Sequence, residues 1–312
     1  MKIITQTDEL ARFCTTLAAC PFLTIDTEFM RDRTYWSRLC LVQLAAHGME
    51  AIVDPLADID LAPLYELLAN TDVVKVFHAG RQDVEIFFHQ GDVIPEPLFD
   101  TQVAAMVLGF GDSISYDALS RKVVGQPIDK SSRFTDWARR PLSEKQLTYA
   151  LADVTHLRDI YIKLQAKLEN NGRQSWVEDE LAILTTPATY DMDPENAWRR
   201  VKPRPRNKPA LAATIELAAW RERQAQSKNV PRNRIIKDEA IGDIANALPQ
   251  TAQALGQLRS IPNGFERSGA GGDILKAVAM ARDRDLETLP TLPRREPLPE
   301  RLVPIVALFK LA

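Results

Sequence analysis

The most restrictive feature of this sequence is an apolar strand that ends in two acidic residues. The stretch FLTIDTEF starts at Phe22, and it has Asp26 and Glu28 where apolar residues could have continued the strand. Side chains alternate between the faces of a strand, so both carboxylates point the same way, with Cα atoms roughly 6.5–7 Å apart. Burying an unpaired carboxylate is costly, and two of one sign repel each other. Either these acids mark the solvent-exposed end of the strand, or they share a divalent cation through oxygen ligands.

The apolar runs predict an α/β fold with a mixed sheet and helices packed on it. The predicted strands are 22–29, 38–45, 50–54 and 73–80, and the predicted helices are 61–69, 81–89, 100–109 and 141–169. The first three strands should form an antiparallel meander. Asp100 is a plausible N-cap, Ser143 and Gln146 form a capping-box pattern, and Asn171-Gly172 supplies a helix stop.

The charge distribution suggests two modules. Residues 1–196 contain 18 Lys and Arg against 30 Asp and Glu, whereas residues 197–312 contain 21 against 12. The basic half could hold a polyanion by displacing its counterions, or the two halves could simply have different solvated surfaces. The stretch 197–210 has six Lys or Arg and three Pro, which favours an extended interdomain linker that could contact phosphates.

Composition also restricts the compartment. The N-terminus, MKIITQTDELARFC, is polar and mixed in charge, unlike a signal peptide. No apolar run approaches the roughly 18 residues of a membrane span. Cys14, Cys20 and Cys40 lack metal-ligand spacing, so free thiols in a reducing cytosol are expected. These observations predict a cytoplasmic protein without a membrane partner.

Two further acidic sites appear along the chain. Tyr149 and Asp153 are four residues apart on the predicted helix 141–169, so they are neighbours on one face, away from its apolar stripe. Asp83 follows a buried strand, in FHAGRQDVEIF, near a helix start. Taken singly, each has an ordinary explanation, because such residues usually decorate a surface or cap a helix.

Taken together, the blocks resemble the motifs of the DEDD superfamily of 3′→5′ exonucleases. IDTEF supplies Asp26 and Glu28, HAGRQDVEIF supplies Asp83, and YALAD supplies Tyr149 and Asp153. The last block is similar to that of the tyrosine subclass. The histidine subclass would have a His five positions before the final Asp, and this chain has a threonine there.

The wider context resembles the ribonuclease D family over about residues 1–195, in DTEFMRDRTYWSRLCLVQL and TDWARRPLSEKQLTYALADV. This resemblance implies a ribonuclease H-like sheet and an enzyme that releases nucleoside 5′-monophosphates from RNA 3′ ends. The implied partners are tRNA precursors with 3′ extensions, and the implied state is a monomer.

The resemblance also implies two divalent cations, Mg²⁺ or Mn²⁺. Asp26 would bridge both, Glu28 and Asp153 would complete the first site, and Asp83 would support the second. Tyr149 would orient the attacking water. Carboxylate-only ligands suit these ions better than Zn²⁺.

Residues near the motifs are candidate substrate contacts. Glu28 and the backbone near Thr27 would hold the terminal 3′-OH, and aromatic or basic side chains would stack on bases or contact phosphates. The candidates are Thr27, Phe29, Arg31, Arg33, Tyr35, Trp36, His78, Arg133, Trp137, Arg139 and Arg140. The alternative is that these are ordinary loop and surface residues, and that His78 is a packed or hydrogen-bonded residue at a strand end.

The second half resembles the HRDC domain, a small helical nucleic-acid-binding module, in LAAWRERQAQSKNVPRNRIIKDEAIGDIANALPQTAQALGQLRSI. The predicted organisation is an exonuclease domain at 1–196, a linker at 197–210, an HRDC-like domain at 211–290 and a C-terminal helix at 291–312. That helix either docks on the protein or begins a second helical domain.

Two other functions stay open. One is a DNA-directed 3′→5′ exonuclease of the same superfamily, which the acids alone do not exclude. The C-terminal module and the TDWARRPLSEKQ context favour RNA over DNA. The other is a non-catalytic RNA-binding scaffold, although all four acids and the tyrosine are present.

Overall fold

The computed structural model describes residues 2–128, 132 and 135–291. The C-terminal helix predicted from RLVPIVALFKLA lies outside the described residues, as does Arg133. The chain divides into two compact units. The first runs to Met192 and includes Asn229–Pro231, and the second comprises the rest of the chain from Asp193 onward.

The first unit is built on a mixed six-stranded sheet, as the sequence predicts. Its strands are β1 (Ile3–Ile4), β2 (Phe22–Met30), β3 (Arg38–Ala46), β4 (Met49–Val53), β5 (Val74–Phe77) and β6 (Leu98–Asp100). Their order in the sheet is β1-β4-β3-β2-β5-β6. Strands β2, β3 and β4 form the antiparallel meander, and the pairs β1–β4, β2–β5 and β5–β6 are parallel.

Helices pack on this sheet and complete the apolar core. They are α1 (Thr7–Leu17), α2 (Ala62–Ala69), α3 (Arg81–Gly91), α4 (Thr101–Val107), α5 (Tyr116–Val123), α6 (Glu144–Asn171) and α7 (Gln174–Thr185). The capping box of Ser143 and Gln146 is present at the start of α6, and Gly172 ends this helix in the left-handed conformation. Asp100 caps α4 by accepting from the backbone N–H groups of Gln102 and Val103. These local predictions are confirmed.

Sequence reasoning missed β1, β6, α1, α5 and α7. The two strands have two and three residues, too few to show an alternating pattern. Helix α1 did carry a signal, because Leu10, Phe13, Cys14 and Leu17 recur at helical spacing and are all buried.

The length difference between β2 and β5 creates the space for a site. Strand β5 pairs with β2 only from Phe22 to Thr24 and ends at Phe77. The chain then turns through Ala79, whose φ is 56°, and enters α3 at Arg81. The second half of β2 therefore has a strand neighbour on one side only, which leaves its even-numbered side chains room to face a cavity.

The second unit is helical. It contains α8 (Lys208–Ser227), α9 (Arg232–Ile235), α10 (Asp238–Ala247), α11 (Ala252–Gly256) and α12 (Gly269–Asp283). Helix α8 lies at the centre, and 13 of its 20 residues are buried. None of the described helices combines the length and apolar composition needed to cross a membrane.

The structure differs from the predicted extended linker at 197–210 at its two ends, whereas residues 201–207 have no regular secondary structure. Pro194–Arg200 forms a 3₁₀ helix, and Ala197 and Val201 are buried in the apolar core of the second unit. Pro209 lies in the first turn of α8, where its missing N–H costs no helical hydrogen bond. The prolines thus shape the start of a packed unit.

A buried lysine gives the first unit a pH-dependent stability. Lys75 is fully buried in β5, and its ammonium donates to the carbonyl oxygens of Asn70 and Glu96 at 2.7 and 2.5 Å. Burial lowers the pKa of Lys75 from 10.5 to about 8. The unfolded chain binds the proton up to a higher pH, so stability rises as the pH increases between these values.

Relative to Lys75→Met, the wild-type free energy of unfolding should increase by about 2–3 kcal/mol from pH 7 to pH 10 in urea titrations. A constant difference would contradict this expectation.

A buried glutamate should stabilise the second unit. Glu222 on α8 is fully buried, and its carboxylate accepts from Arg200 at 3.1 Å and from Arg232 at 2.6 Å. Glu222→Gln leaves two guanidinium groups without their anion, so it should destabilise this unit by about 3 kcal/mol in urea unfolding followed by circular dichroism. The exposed Glu239 is the control, and Glu239→Gln should cost less than about 1 kcal/mol. If both substitutions lower the free energy of unfolding equally, the buried ion pairs of Glu222 do not stabilise the unit more than an exposed glutamate does.

Candidate active site

Three carboxylates converge where β2 meets α6. Oxygen atoms of Asp26, Glu28 and Asp153 all lie within 4.8 Å of one another. Asp26 and Glu28 share the face of β2 that α6 covers. Thr24, on the same face, donates its hydroxyl to the carbonyl oxygen of Val154 at 2.8 Å. This hydrogen bond fixes α6 against β2 one residue away from Asp153.

Asp83 reaches the same region from α3. It lies in the first turn of that helix and is 7% exposed. The hydroxyl of Thr27, between Asp26 and Glu28 on β2, donates a short hydrogen bond to the Asp83 carboxylate. Asp83 lines the same cavity as the three converging carboxylates.

Burial disfavours the charged forms of these acids, and neighbouring charges add to this effect for Asp26 and Asp83. Burial raises the pKa of Asp26 well above its ordinary value, and the charge of Asp153 raises it further. Burial and the charge of Asp26 do the same to the pKa of Asp83. Burial also raises the pKa of Asp153 to about 7, although a hydrogen bond from Tyr149 opposes the shift. A nearby cation would relieve this repulsion.

The donor set fits a hard divalent cation. Carboxylate oxygens are the ligands that Mg²⁺ and Mn²⁺ prefer. Gln43 pairs with Asp26 in the β2–β3 register, and among the described residues its two buried amide atoms have no hydrogen-bond partner. Directly opposed residues of paired strands project to the same face, so this amide lies beside the acids.

Two tyrosines support Asp153. Tyr149 lies four residues earlier on α6 and hydrogen-bonds to the Asp153 carboxylate, as their helical spacing predicts. Tyr116, at the start of α5, donates its hydroxyl to the Asp153 carbonyl oxygen at 2.5 Å. Burial raises the pKa of Tyr116 well above its ordinary value, so it stays a donor. Sequence reasoning missed Tyr116, because nothing in its neighbourhood indicates a contact with α6.

The acids open into a cavity of about 530 Å³. Eight of the predicted residues line it: Asp26, Thr27, Glu28, Phe29, His78, Asp83, Tyr149 and Asp153. Lining residues that sequence reasoning did not find include Gln82, Gln102, Ser113, Ser115, Tyr116 and Asp117. Most of these lie in turns or at helix starts, where no periodic pattern marks a functional side chain.

His78 is both packed and near the site. Its Nδ1 lies 2.9 Å from the Thr101 hydroxyl, and its ring lies 5.3 Å from that of Tyr116. Burial lowers the pKa of His78, so the ring is neutral at neutral pH. His78 is therefore hydrogen-bonded at the end of a strand, as one of the two predictions has it. Because it also lines the cavity wall, the other prediction, a substrate contact, stays a prediction.

Trp137 and Arg140, which the sequence predicts as RNA contacts, are instead engaged in packing and hydrogen bonds within the fold. Trp137 is 2% exposed. The guanidinium of Arg140 pairs with Asp54 at 2.6 Å and donates to the carbonyl oxygens of Cys40 and Trp137 at 2.8 and 2.7 Å. These groups are occupied in holding β3 and the segment before α6. Arg139, by contrast, is exposed.

The basic and aromatic residues after β2 lie outside the acidic cavity. Arg31 pairs with Glu85 of α3 at 2.7 Å. Tyr35 is 3% exposed, so its ring has little surface for stacking on a base. Arg33 is exposed, and Trp36 is half-buried against the ring of His89.

The mixed sheet and the acid cluster define this chain as a 3′→5′ exonuclease with an appended helical domain. A family model described as 3′-5′ exonuclease matches residues 1–169, and one described as HRDC domain matches residues 210–278. Ribonuclease D of Nitrobacter hamburgensis is 54% identical over 293 residues, which cover 94% of this chain and 77% of the relative. Ribonuclease D of Bartonella henselae is 49% identical over 311 residues, covering 99% and 77%. The chain belongs to the ribonuclease D family of exoribonucleases.

Solved structures agree with this assignment. The crystal structure of Escherichia coli RNase D, titled as an exoribonuclease involved in structured RNA processing, matches with a TM-score of 0.87 and 32% identity. The match covers 99% of this chain and 83% of that one. Brucella melitensis NrnC with bound Mg²⁺ matches with a TM-score of 0.52 and 26% identity, over 62% of this chain and 94% of that one. The DEDD superfamily of 3′→5′ exonucleases depends on divalent metal ions.

The charge of the acid cluster should lower the melting temperature of the protein when divalent ions are absent. Without divalent ions, Asp26→Asn should raise the melting temperature by several degrees, because it removes one partly buried charge from the acid cluster. With Mg²⁺, the wild type should gain stability and Asp26→Asn should gain little. Differential scanning fluorimetry with EDTA and with Mg²⁺ measures both effects.

The exposed Asp58 supplies the matched control. Asp58→Asn should melt and respond to Mg²⁺ like the wild type. If Asp26→Asn keeps the full response to Mg²⁺, Asp26 is not a ligand.

Proposed function

We propose that Asp26, Glu28, Asp83 and Asp153 hold two divalent cations at which the terminal phosphodiester of an RNA 3′ end is hydrolysed. The observation that carries this proposal is the convergence of three carboxylates, with oxygen atoms within 4.8 Å, from β2 and α6. The fourth acid lines the same cavity from α3. The bound Mg²⁺ in the related NrnC structure supports Mg²⁺ as one of the ions, and the oxygen ligands accommodate Mn²⁺ equally well.

Bound divalent cations would offset the phosphodiester charge and make water a better nucleophile at neutral pH. The chain's own residues arrange the reactants. Tyr149, held toward Asp153 by its hydrogen bond, can orient the attacking water in its phenol form, since a tyrosine side chain is a poor base at neutral pH. Thr27 holds the Asp83 carboxylate in one orientation through its hydroxyl. Tyr116 and Thr24 hold the backbone of α6 at two successive carbonyl oxygens, those of Asp153 and Val154.

The terminal nucleotide would occupy the acidic cavity. Phe29, His78 and Tyr116 contribute rings to its wall, and aromatic rings stack on bases without regard to sequence. Glu28 would accept a hydrogen bond from the terminal 3′-OH, with the backbone near Thr27 beside it.

The substrate class we propose is tRNA precursors with 3′ extensions. The family relationship supports RNA, and the second unit supports a structured one. Residues 197–312 carry 21 Lys and Arg against 12 Asp and Glu, an excess that would attract phosphates along the body of a folded RNA. The 3′ extension supplies the unpaired end that the cavity requires.

Digestion of 5′-labelled single-stranded RNA tests the catalytic proposal. The wild type with Mg²⁺ or Mn²⁺ should produce a ladder that shortens from the 3′ end and releases nucleoside 5′-monophosphates. EDTA and Asp26→Asn should each remove the activity by several orders of magnitude, because the transition-state charge is then no longer offset. Tyr149→Phe should lower the maximal rate by about 10²-fold while leaving Mg²⁺ binding intact.

Three further arms complete the experiment. Asp58→Asn should digest like the wild type. A DNA oligomer of the same sequence tests the rival substrate, and faster loss of DNA than of RNA would favour the DNA-directed alternative. A tRNA transcript with a 3′ extension should lose the extension and then stop, whereas degradation into the tRNA body would count against a maturation role. RNA binding without shortening in either metal would indicate a scaffold.

A further inference from the structure

A second cavity, of about 230 Å³, lies beside the acidic one in the first unit. Its lining residues are Trp36, Ser37, Glu85, Ile86, His89 and Gln90. It is smaller than the roughly 300 Å³ at which drug-sized ligand sites begin. A single ring system fits this volume better than a complete nucleotide does.

Helix α3 forms a wall of both cavities. Gln82 and Asp83 line the acidic cavity, and the pairs Glu85–Ile86 and His89–Gln90 line the second one. Counted from Gln82, the second cavity uses positions three, four, seven and eight residues later, which lie on one stripe of an α-helix. From Gln82 to Ile86 this stripe advances about 6 Å. Stacked bases in a duplex follow at about 3.4 Å, so a spacing of this size would suit neighbouring nucleotides that are unstacked, as those of a single-stranded 3′ end can be.

The walls are aromatic and apolar. The rings of Trp36 and His89 have centroids 4.8 Å apart and planes inclined by 60°. Ile86, 3% exposed, belongs to the apolar core beneath them. A half-buried indole with an apolar residue next to it is the type of surface on which a base stacks, and such stacking tolerates any sequence.

The polar groups of this cavity favour a neutral ligand over a phosphate. Arg31 pairs with Glu85 at 2.7 Å, so the carboxylate in the wall is already neutralised and none of the lining residues is a lysine or arginine. The buried Nε2 of His89 has no hydrogen-bond partner among the described residues. Burial lowers the pKa of His89, so its ring is neutral at neutral pH. The Gln90 amide offers both a donor and an acceptor, which match the mixed groups at the edge of a base.

We propose that the cavity between Trp36 and His89 binds the base of the penultimate nucleotide of the RNA while the terminal nucleotide occupies the acidic cavity. This inference rests on the proposed function of that cavity. It makes Trp36 a determinant of substrate binding and not of the chemical step, and it explains how an exonuclease could grip an unpaired end without reading its sequence.

Single-turnover kinetics of the first cleavage, with Mg²⁺ and enzyme in excess, tests the subsite. Trp36→Ala should raise the enzyme concentration at half-maximal rate by about tenfold, with little change in the maximal rate. An RNA that has an abasic nucleotide at the penultimate position should show a similar increase with the wild-type enzyme. The same abasic RNA should show no additional increase with Trp36→Ala, because both changes remove one stacking contact.

Three controls separate this role from general damage. Trp36→Phe keeps an aromatic face and should restore most of the binding, which a purely structural loss would not show. Trp176→Ala removes a tryptophan that is 57% exposed on α7, outside both cavities, and should behave like the wild type. The third control is an RNA whose abasic nucleotide is remote from the 3′ end. For this RNA, the ratio of the half-maximal concentrations of Trp36→Ala and wild type should equal the ratio for unmodified RNA.

Two results would overturn the subsite. One is an unchanged half-maximal concentration in Trp36→Ala. The other is a full abasic effect that persists in Trp36→Ala, since independent losses would show that the penultimate base does not contact this tryptophan. Failure of the proposed function has a different signature, because the wild type would then leave unmodified RNA uncut in the same reactions.

Discussion

The withdrawal of neighbouring carboxylates from water is the constraint on which the candidate site depends. Asp26, Asp83 and Asp153 each have a raised pKa, and burial is the largest cause for all three. A fold selected only for stability would place apolar residues here, since well-packed hydrophobic groups are often as stable as buried charges or more stable. The arrangement is instead suited to cations, whose binding energy would offset the cost of bringing these carboxylates together.

The surrounding structure holds these acids by their backbone as well as by their side chains. Thr24 and Tyr116 both donate to carbonyl oxygens of α6, one at Val154 and one at Asp153. Such bonds keep a ligand in place whatever its protonation state, because they do not involve its carboxylate. The early end of β5 contributes in another way, by freeing the second half of β2 from a second strand neighbour.

Charged and aromatic residues near the motifs have two distinct uses in this fold. Arg140, with Asp54, and Glu222, with Arg200 and Arg232, form buried or half-buried ion pairs that hold segments together. Trp36 instead lines a cavity that shares α3 with the acidic site. Residue type and proximity in sequence do not separate the two uses, because an arginine or tryptophan serves equally well as a packing residue and as an RNA contact.

The sequence by itself determined the strand with its paired acids, the capped helix α6 and the Tyr149–Asp153 pair, because periodicity and capping act over a few residues. The resemblance of the three motifs added the family. Only the tertiary structure decided that Asp26 and Asp153, 127 positions apart in the chain, bring their oxygens together, and that Tyr116 supports them. It also decided that Trp137 is buried and that Ala197 and Val201, beside the proline-rich stretch, are packed in the second unit. These outcomes depend on long-range packing and on strands such as β1 and β6, which are too short to leave a local pattern.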